Sequence, residues 1–471
     1  MSAGVGEHVH AGPPGVSGQS PEPARPPLSG GAPTYADVNR DVIRTLEFPS
    51  NLYFGWMSFI ALTLAGGVLA WVMQIYYGIG MAGKRNPQMW AMYITTFVFW
   101  IGIGHAGTLI SAILYLFRAR WRTSIYRGSE AMTIFAVMTA LLFPVIHLGR
   151  MWLPYWLIPY PNDRFLWPNF RSPLLWDVFA ISTYFTISAV FFYVGLIPDI
   201  AALRDGASGL RRRIYAALAL GWQGSDREWR HYRRAYGLLA ALATPLVVSV
   251  HSVVSWDFAM ALLPGWHSTL FAPFFVDGAI FSGFAMVLVL LLPMRYYFSL
   301  FPYITDRQLD AMAKLILVTS LVLTYFYACE GFVSWYSGEP IERASYLYKW
   351  VGTYAPWWWL QIFCNSVVPL VFFWRRARVH VLTLYIVSVL VLIGMWFERF
   401  NIIVPGLARG FYPYTFGVYV PTPVDTMIII GSFAWFFIWF MAFIKVLPSV
   451  SIVEVKETIP HPVRDAATVH H

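Results

Sequence analysis

The sequence predicts an all-α integral membrane protein of about ten transmembrane helices. Of its 471 residues, 58% are hydrophobic and only 12% are charged, whereas soluble domains carry about 25% charged residues. The apolar residues are gathered into stretches of about 20 or more, the length that an α-helix needs to cross a bilayer. Because a helix satisfies its own backbone hydrogen bonds, each stretch is expected to cross the membrane as a helix.

Ten stretches meet this length requirement. Proline-rich, polar or arginine-rich connections separate them, so each stretch is bounded on both sides. The segments predicted to cross the membrane are residues 52–77, 89–117, 131–153, 174–203, 235–263, 271–298, 311–336, 350–374, 379–400 and 424–447.

The chain is divided into one membrane domain and two tails. Residues 1–48 are rich in Gly, Pro, Ser and Ala, a composition that cannot bury enough apolar surface to fold. They are predicted to form a disordered cytoplasmic tail, and they lack the basic and short apolar regions of a signal peptide. Residues 49–450 form the predicted transmembrane domain, and residues 451–471 a cytoplasmic C-terminal tail.

Basic residues predict the orientation of the helices. The connection after the second helix holds four arginines, and the connection after the fourth holds eight. Arg375, Arg376 and Arg378 follow the eighth helix, whereas the odd-numbered connections are poor in basic residues and rich in Trp, Tyr and Pro. Because basic loops stay in the cytoplasm, both termini are predicted inside a bacterial inner membrane and the odd-numbered connections outside. The formal charge of +9 is thus a topology signal and not the footprint of a nucleic acid.

Ionisable residues gather near the outer ends of the predicted helices. Each such group at membrane depth costs about 2.5 to 3.5 kcal/mol on insertion scales, so its presence indicates a function. His105 and His251 lie deeper, and Asp199 lies toward the cytoplasmic end of the fourth helix. The residues toward the outer ends are His147, Arg150, Asp177, Asp257, Asp277, Glu330, Glu398, Arg399 and Asp425.

A histidine close to carboxylates at one membrane face is suited to the oxidation of a quinol. This reaction releases two protons and two electrons, and a histidine that titrates near neutral pH is a natural proton acceptor. His147 and Asp177 flank the outer ends of the third and fourth helices, and Asp257 lies at the same level on the fifth. We therefore expect these three residues to take part in proton transfer.

Structural interpretations compete for the same residues. His147 can be a core histidine bonded to a backbone carbonyl, and Asp177 can be a helix N-cap that follows Pro173. Asp257 cannot be an N-cap because it lies within the fifth span. Arg399 equally fits a structural ion pair with a neighbouring acid, since a buried arginine must be paired. The residues that can continue a proton path are His251, Asp199, Glu330, Glu398 and Arg399.

The sequence contains no motif for a redox cofactor. Cys329 and Cys364 both lie in apolar stretches, and no CxxCH haem-attachment motif occurs. The histidines of the second, third and fifth helices lie at differing depths, which does not suit bis-histidine haem ligation. No haem or iron–sulfur cluster is therefore expected in this chain, and electrons from a quinol must pass to a partner on the outer face.

The aromatic outer connections favour such a partner. Segments 152–176, 266–275, 346–359 and 411–420 are rich in Trp, Tyr and Pro, and the first is the densest. Trp and Tyr at this level commonly form an interfacial belt. The density of 152–176 exceeds what a belt requires, so we expect a preformed docking surface there for an extramembrane protein.

Four motifs resemble the NrfD/PsrC family of membrane quinone-site subunits. Residues 146–150 read IHLGR, 248–259 read VSVHSVVSWDFA, and 396–405 read WFERFNIIVP. The fourth motif, WDVFAISTYFTISAVFFYVGLIPDIA, covers 176–201. The resemblance extends over about residues 50–450. Within the family, the sequence most resembles ActC, the ten-helix subunit of alternative complex III, which has ActF as its paralogue.

The resemblance implies two four-helix bundles, helices 2–5 and 6–9, flanked by helices 1 and 10. It implies a menaquinone or ubiquinone site at the outer face, beside an iron–sulfur protein that passes electrons to c-type haem subunits. A paralogous NrfD-like membrane subunit is the implied membrane partner. The implied quinol-site residues are His147, Asp177, Asp257 and Arg399, with weaker roles for Arg150 and Glu398, and the residues implied in proton translocation are His251 and Asp199.

Two other functions fit the sequence. An ion-coupled secondary transporter would bind its coupling ion at the intramembrane acids, and such proteins show paired interrupted helices. Pro144 and Pro245 lie in the third and fifth helices, but helices 6–9 show no matching pair. A structural anchor without quinol activity is the remaining alternative.

Overall fold

The computed structural model describes residues 34–47, 49–157, 170–457 and 459, and this part of the chain is helical with short connections. Ten of its helices are long and apolar enough to cross a membrane, as predicted. They are α1 (Asn51–Tyr77), α2 (Met92–Leu116), α3 (Tyr126–His147), α4 (Pro173–Gly206), α5 (Asp226–Ala259), α6 (Phe271–Tyr297), α7 (Asp306–Tyr336), α8 (Ala355–Phe373), α9 (Val381–Ala408) and α10 (Pro423–Val446).

Several helices extend beyond the apolar stretches that predicted them. Helix α5 begins at Asp226, because Ser225 and Glu228 form a capping box within the polar connection. Helix α9 continues to Ala408, beyond the predicted end at residue 400. A helix begins where its backbone is capped and not where the apolar stretch starts, so hydrophobicity alone underestimates helix length.

Both predicted tails contain ordered structure. Residues Tyr35–Thr45 form a helix that Thr34 and Asp37 cap, and its Val38 and Val42 are buried. Residues Ile452–Glu457 form a short helix after α10. The prediction of disorder is therefore wrong for residues 35–45, since this amphipathic segment has a core to pack against. Residues 1–33 and 460–471 lie outside the described part of the chain.

The spanning helices form two bundles around a shared central helix. Neighbours α2 to α5 pack in a closed ring, as do α6 to α9, while α1 packs against α10. Helix α2 also packs against α6 of the second bundle. A Cβ atom at Gly283 of α6 would lie 1.8 Å from the Cβ of Ala106 on α2, so glycine permits this close approach. The two-bundle arrangement implied by the resemblance is thus present.

Helix α8 is irregular along its length. It is α-helical over Ala355–Ile362, π-helical over Phe363–Val367 and 3₁₀-helical over Val368–Phe373. Such π-turns are frequent at functional sites because they redirect side chains. The sequence predicts no matching pair of interrupted helices among helices 6–9, and α8 is a single irregular helix whose π-helical segment contains the buried Asn365.

Candidate functional site

Asp177 and Asp257 form a pair between α4 and α5. Their carboxyl groups lie close enough to interact with each other. Asp177 is buried in the second turn of α4, and Ser172 is the N-cap of that helix. The N-cap interpretation of Asp177 is therefore wrong. One oxygen of each carboxyl group, Oδ1, is buried without a protein hydrogen-bond partner among the described residues, so each remains available to a ligand.

Phe258, next to Asp257 in the sequence, belongs to a cluster of aromatic rings. Phe258, which follows Asp257, contacts Trp90 edge-on at 6.1 Å between ring centres and Trp266 at 5.0 Å. The rings of Trp90 and Trp266 also line a cavity of about 260 Å³. It is lined by Pro87, Met89, Trp90, Trp266 and Leu407. Apolar and aromatic walls of this kind are the usual lining of a site for a small ligand.

His147 contacts a buried lysine that sequence reasoning missed. Nζ of Lys84 lies 3.0 Å from Nδ1 of His147, and 3.7 Å from the centre of the Tyr93 ring. The Tyr93 hydroxyl donates to Oε1 of Gln74 at 2.5 Å. Gln74 in turn donates to the Ile146 carbonyl at 2.9 Å, which ties α1 to the end of α3. The ring nitrogen of His147 thus bonds a side-chain amine, and not the backbone carbonyl that the structural interpretation predicts.

The Lys84 amine also interacts electrostatically with Asp425 on α10. Burial lowers the pKa of Lys84 to about 7, while the Asp425 carboxylate acts in the opposite direction. Asp425 accepts hydrogen bonds from the Tyr419 hydroxyl and from the Thr422 backbone N–H. One feature of the sequence could have indicated Lys84 as a site residue: it lies in a predicted outer connection, where basic residues are disfavoured.

Arg399 and Glu398 form a buried ion pair in the second bundle. Nη1 of Arg399 lies 2.7 Å from Oε1 of Glu398, and the other oxygen of Glu398 accepts from the Tyr327 hydroxyl. Nδ2 of Asn365, on the irregular part of α8, donates to that same hydroxyl at 2.9 Å. The structural ion pair considered at the sequence level is present. The guanidinium also lies 4.4 Å from the centre of the Phe275 ring, which faces the first bundle.

His251 lies deep in the protein beside another histidine. Its ring centre is 4.6 Å from that of His105 on α2, and His105 is 4.5 Å from the Tyr184 ring on α4. Both histidines are buried. The predicted proton-path residue therefore belongs to a polar cluster inside the first bundle, and its ring also contacts Phe275 of α6 at 5.9 Å between ring centres.

Asp199 belongs to a different cluster at the cytoplasmic end predicted from the arginines. Arg127 lies 2.9 Å from Asp199 and 2.9 Å from Glu130, and these three side chains are buried. The backbone N–H of Val453 donates to Asp199 at 3.2 Å, so the segment after α10 covers this cluster. Among the contacts of the described residues, Asp199 and His251 share no hydrogen bond.

The remaining predictions concern the outer connections. Arg150 is exposed just after α3. Much of the predicted docking surface at 152–176 lies outside the described residues, which stop at 157 and resume at 170. In the part of the chain that the structure describes, no three His, Cys, Asp or Glu side chains are grouped to hold a metal ion.

The ten long apolar helices of the described residues define this chain as an integral multi-pass membrane protein. Residues 80–409, more than two thirds of the chain, match the family described as polysulphide reductase, NrfD. The chain therefore belongs to the NrfD family, which confirms the family resemblance seen in the motifs.

Named relatives support the same family. The chain is 25% identical over 428 residues, 84% of its length and 91% of the relative, to a "Putative dimethyl sulfoxide reductase membrane subunit" of Halobacterium salinarum. It is 24% identical over 247 residues to a selenate reductase subunit of Mesobacillus selenatarsenatis, covering 51% of this chain and 56% of the relative. It is 22% identical over 374 residues to the Hdr-like menaquinol oxidoreductase integral membrane subunit of Archaeoglobus fulgidus, covering 77% and 82%. None of these three relatives is named as part of alternative complex III.

Proposed function

We propose that this chain is the quinol-oxidising membrane subunit of a respiratory oxidoreductase complex. The observation that carries the proposal is the Asp177–Asp257 pair, in which each carboxyl group keeps one buried oxygen without a protein partner. Buried polar atoms are nearly always satisfied, so a bound polar ligand is the natural partner for these oxygens. The relative named as a menaquinol oxidoreductase subunit supports a quinol as that ligand.

The roles of the site residues follow from their positions. His147 accepts the proton of one quinol hydroxyl, and the Asp177–Asp257 pair accepts the other, because two neighbouring carboxyl groups repel each other when both are ionised and bind a proton more readily. Arg399, on the second bundle, lies over the Phe275 ring and supplies a positive charge next to the site. Glu398 holds that guanidinium in place, and the exposed Arg150 has a weaker, peripheral role.

The electrons of the quinol pass to a partner protein. We assign that role to an iron–sulfur protein docked on the predicted outer face, which hands the electrons to c-type haem subunits. The particular assembly we propose is alternative complex III, with this chain in the ActC position and a paralogous NrfD-like subunit beside it. The clusters around His251 and Asp199 are the proposed route for coupled proton translocation.

Two substitutions in the assembled complex test quinol oxidation at this site. His147→Ala and Asp177→Asn are expected to slow quinol-dependent reduction of the partner haems by about 100-fold or more, the usual contribution of a general base. Haem content and the set of assembled subunits should stay unchanged. Asp205→Asn, at an exposed carboxylate on the cytoplasmic end of α4, is the matched control. Wild-type rates in both site variants would sink the proposal.

A secondary transporter is the second candidate, and the irregular helices favour it. Helix α3 is interrupted at Leu141 and α8 at Phe363–Val367, one in each bundle. Gradient-driven uptake by the chain reconstituted in liposomes would support this alternative. Binding of a quinone analogue to the assembled complex separates a quinol-oxidising subunit from a structural anchor.

A further inference from the structure

Lys84 and His147 are joined by a hydrogen bond between two side-chain nitrogens. Its amine is almost completely buried, with 7% of the residue exposed, and Nζ lies 3.0 Å from Nδ1 of the imidazole. In a hydrogen bond between two nitrogens, one must donate and the other must accept. The protonation state of Lys84 therefore limits which tautomer of His147 can form this hydrogen bond.

The two states of Lys84 give His147 opposite roles. An ammonium donates to Nδ1, which leaves the hydrogen of the neutral imidazole on Nε2, so that His147 offers a quinol only a donor. A neutral amine has a lone pair and can accept from Nδ1–H, and this arrangement leaves a lone pair on Nε2. Only the second arrangement allows His147 to take a proton from a quinol hydroxyl.

We propose that Lys84 is a relay residue, which receives a proton from His147 as His147 takes one from the quinol. The proposal rests on quinol oxidation at this site. As the quinol O–H bond breaks, its proton binds Nε2 of His147 and the Nδ1 proton moves to the lone pair of Lys84 Nζ. The imidazole ends neutral with its hydrogen on Nε2, and Lys84 ends as an ammonium. The second proton goes to the Asp177–Asp257 pair, and both electrons leave, one at a time, for the iron–sulfur partner.

The surroundings of Lys84 support both of its protonation states. Burial lowers the pKa of Lys84 to about 7, so the neutral amine is accessible near neutral pH. Three ionisable side chains face the amine from three helices: His147 on α3, Tyr93 on α2 and Asp425 on α10. The face of the Tyr93 ring and the Asp425 carboxylate stabilise the ammonium once the proton has arrived.

Two substitutions distinguish a relay from a fixed charge. Lys84→Met removes the amine and keeps much of the side-chain length, while Lys84→Arg keeps a positive charge that cannot deprotonate. Both variants are expected to lower kcat for quinol oxidation by about 10-fold or more with little change in KM, because a proton acceptor and not quinol binding is lost. Arg85→Met, at the exposed basic neighbour in the same connection, is the matched control and should keep the wild-type kcat.

The pH profile is the decisive readout. Wild-type kcat should rise with pH through about 7 and level off above it, because the relay needs the deprotonated amine. Both Lys84 variants should lose this rise, and Arg85→Met should keep it. Haem content and binding of a quinone analogue check that each variant is folded and assembled.

Several results would overturn the relay. Wild-type kcat and pH dependence in Lys84→Met would show that the amine has no part in turnover. The same result in Lys84→Arg would show that positive charge alone is sufficient. His147→Ala separates failure of the relay from failure of the proposed quinol site. If the chain does not oxidise quinol at this site, His147→Ala keeps the wild-type rate; if only the relay is wrong, His147→Ala is still slow.

Discussion

At the scale of single residues, the polar groups near the predicted outer face are held by partners from other parts of the chain. Asp177 on α4 contacts Asp257 on α5, and Lys84 before α2 contacts His147 at the end of α3. A lone polar group is expensive at membrane depth, so these pairings explain how the fold keeps them. Partners shared across helices also hold the site in one geometry, which proton transfer requires.

The ion pair of the second bundle gives a prediction about stability. Glu398→Gln removes the charge that faces Arg399 and leaves a buried guanidinium without its counterion. Breaking a buried ion pair costs about 3–5 kcal/mol, so the Tm of the detergent-solubilised complex should fall by several degrees. Glu47→Gln, at an exposed carboxylate, should leave the Tm unchanged. An unchanged Tm in Glu398→Gln would mean that another group neutralises Arg399.

At the scale of helices, α2 holds the two bundles together. It is the most deeply buried of the ten spans and packs against α3, α5 and α6. In lipid the hydrophobic effect does not drive helices together, so the attraction between them comes from close packing. Small residues such as Gly283 and Ala106 allow the helix backbones to approach closely enough for this packing. The polar clusters therefore sit on helices whose spacing is fixed by backbone contact.

A glycine on α6 tests this packing. Gly283→Ala places a Cβ atom 1.8 Å from the Cβ of Ala106, so α2 and α6 must separate. We expect a lower yield of folded, monodisperse protein in size-exclusion chromatography, together with weaker quinone-analogue binding. Gly237→Ala on α5 meets nothing within 4 Å and should behave as the wild type. Normal yield and binding in Gly283→Ala would show that the contact between the bundles is loose.

The sequence was sufficient to predict the helices but not their side-chain partners. Runs of apolar residues predict the spans, and the depth of His147, Asp177 and Asp257 follows from their place in those spans. Lys84 was missed because its partner is 63 positions away and a hydrophobic pattern does not record which loop returns to which helix end. The irregular part of α8 was missed for a similar reason, since neighbouring helices fix its geometry.

At the scale of the whole molecule, the polar sites divide between the two ends of the bundle. The Lys84–His147 and Asp177–Asp257 pairs lie at the end that holds the odd-numbered connections. The Arg127–Asp199 cluster lies at the opposite end, where the arginine-rich connections gather.

The odd-numbered connections are predicted to face the outer side of the membrane and the even-numbered connections the cytoplasm. With Cys329 and Cys364 replaced by serine, a membrane-impermeant thiol reagent should label Ser337→Cys in the connection after α7 from the outer side. It should label Gln223→Cys, in the connection after α4, only after the membrane is permeabilised. Both positions are exposed, so access and not burial decides the result. The reverse pattern would place the candidate site at the cytoplasmic face.

The most direct measurement is a map of the assembled complex with a quinone analogue bound. Quinol oxidation at this site predicts that the head group lies within hydrogen-bonding distance of Nε2 of His147 and of the Asp177–Asp257 carboxyl oxygens, below the docked redox partner. A head group bound elsewhere would contradict it. The clearest such case is the apolar groove of about 470 Å³ that α1, α6 and α10 form toward the opposite end.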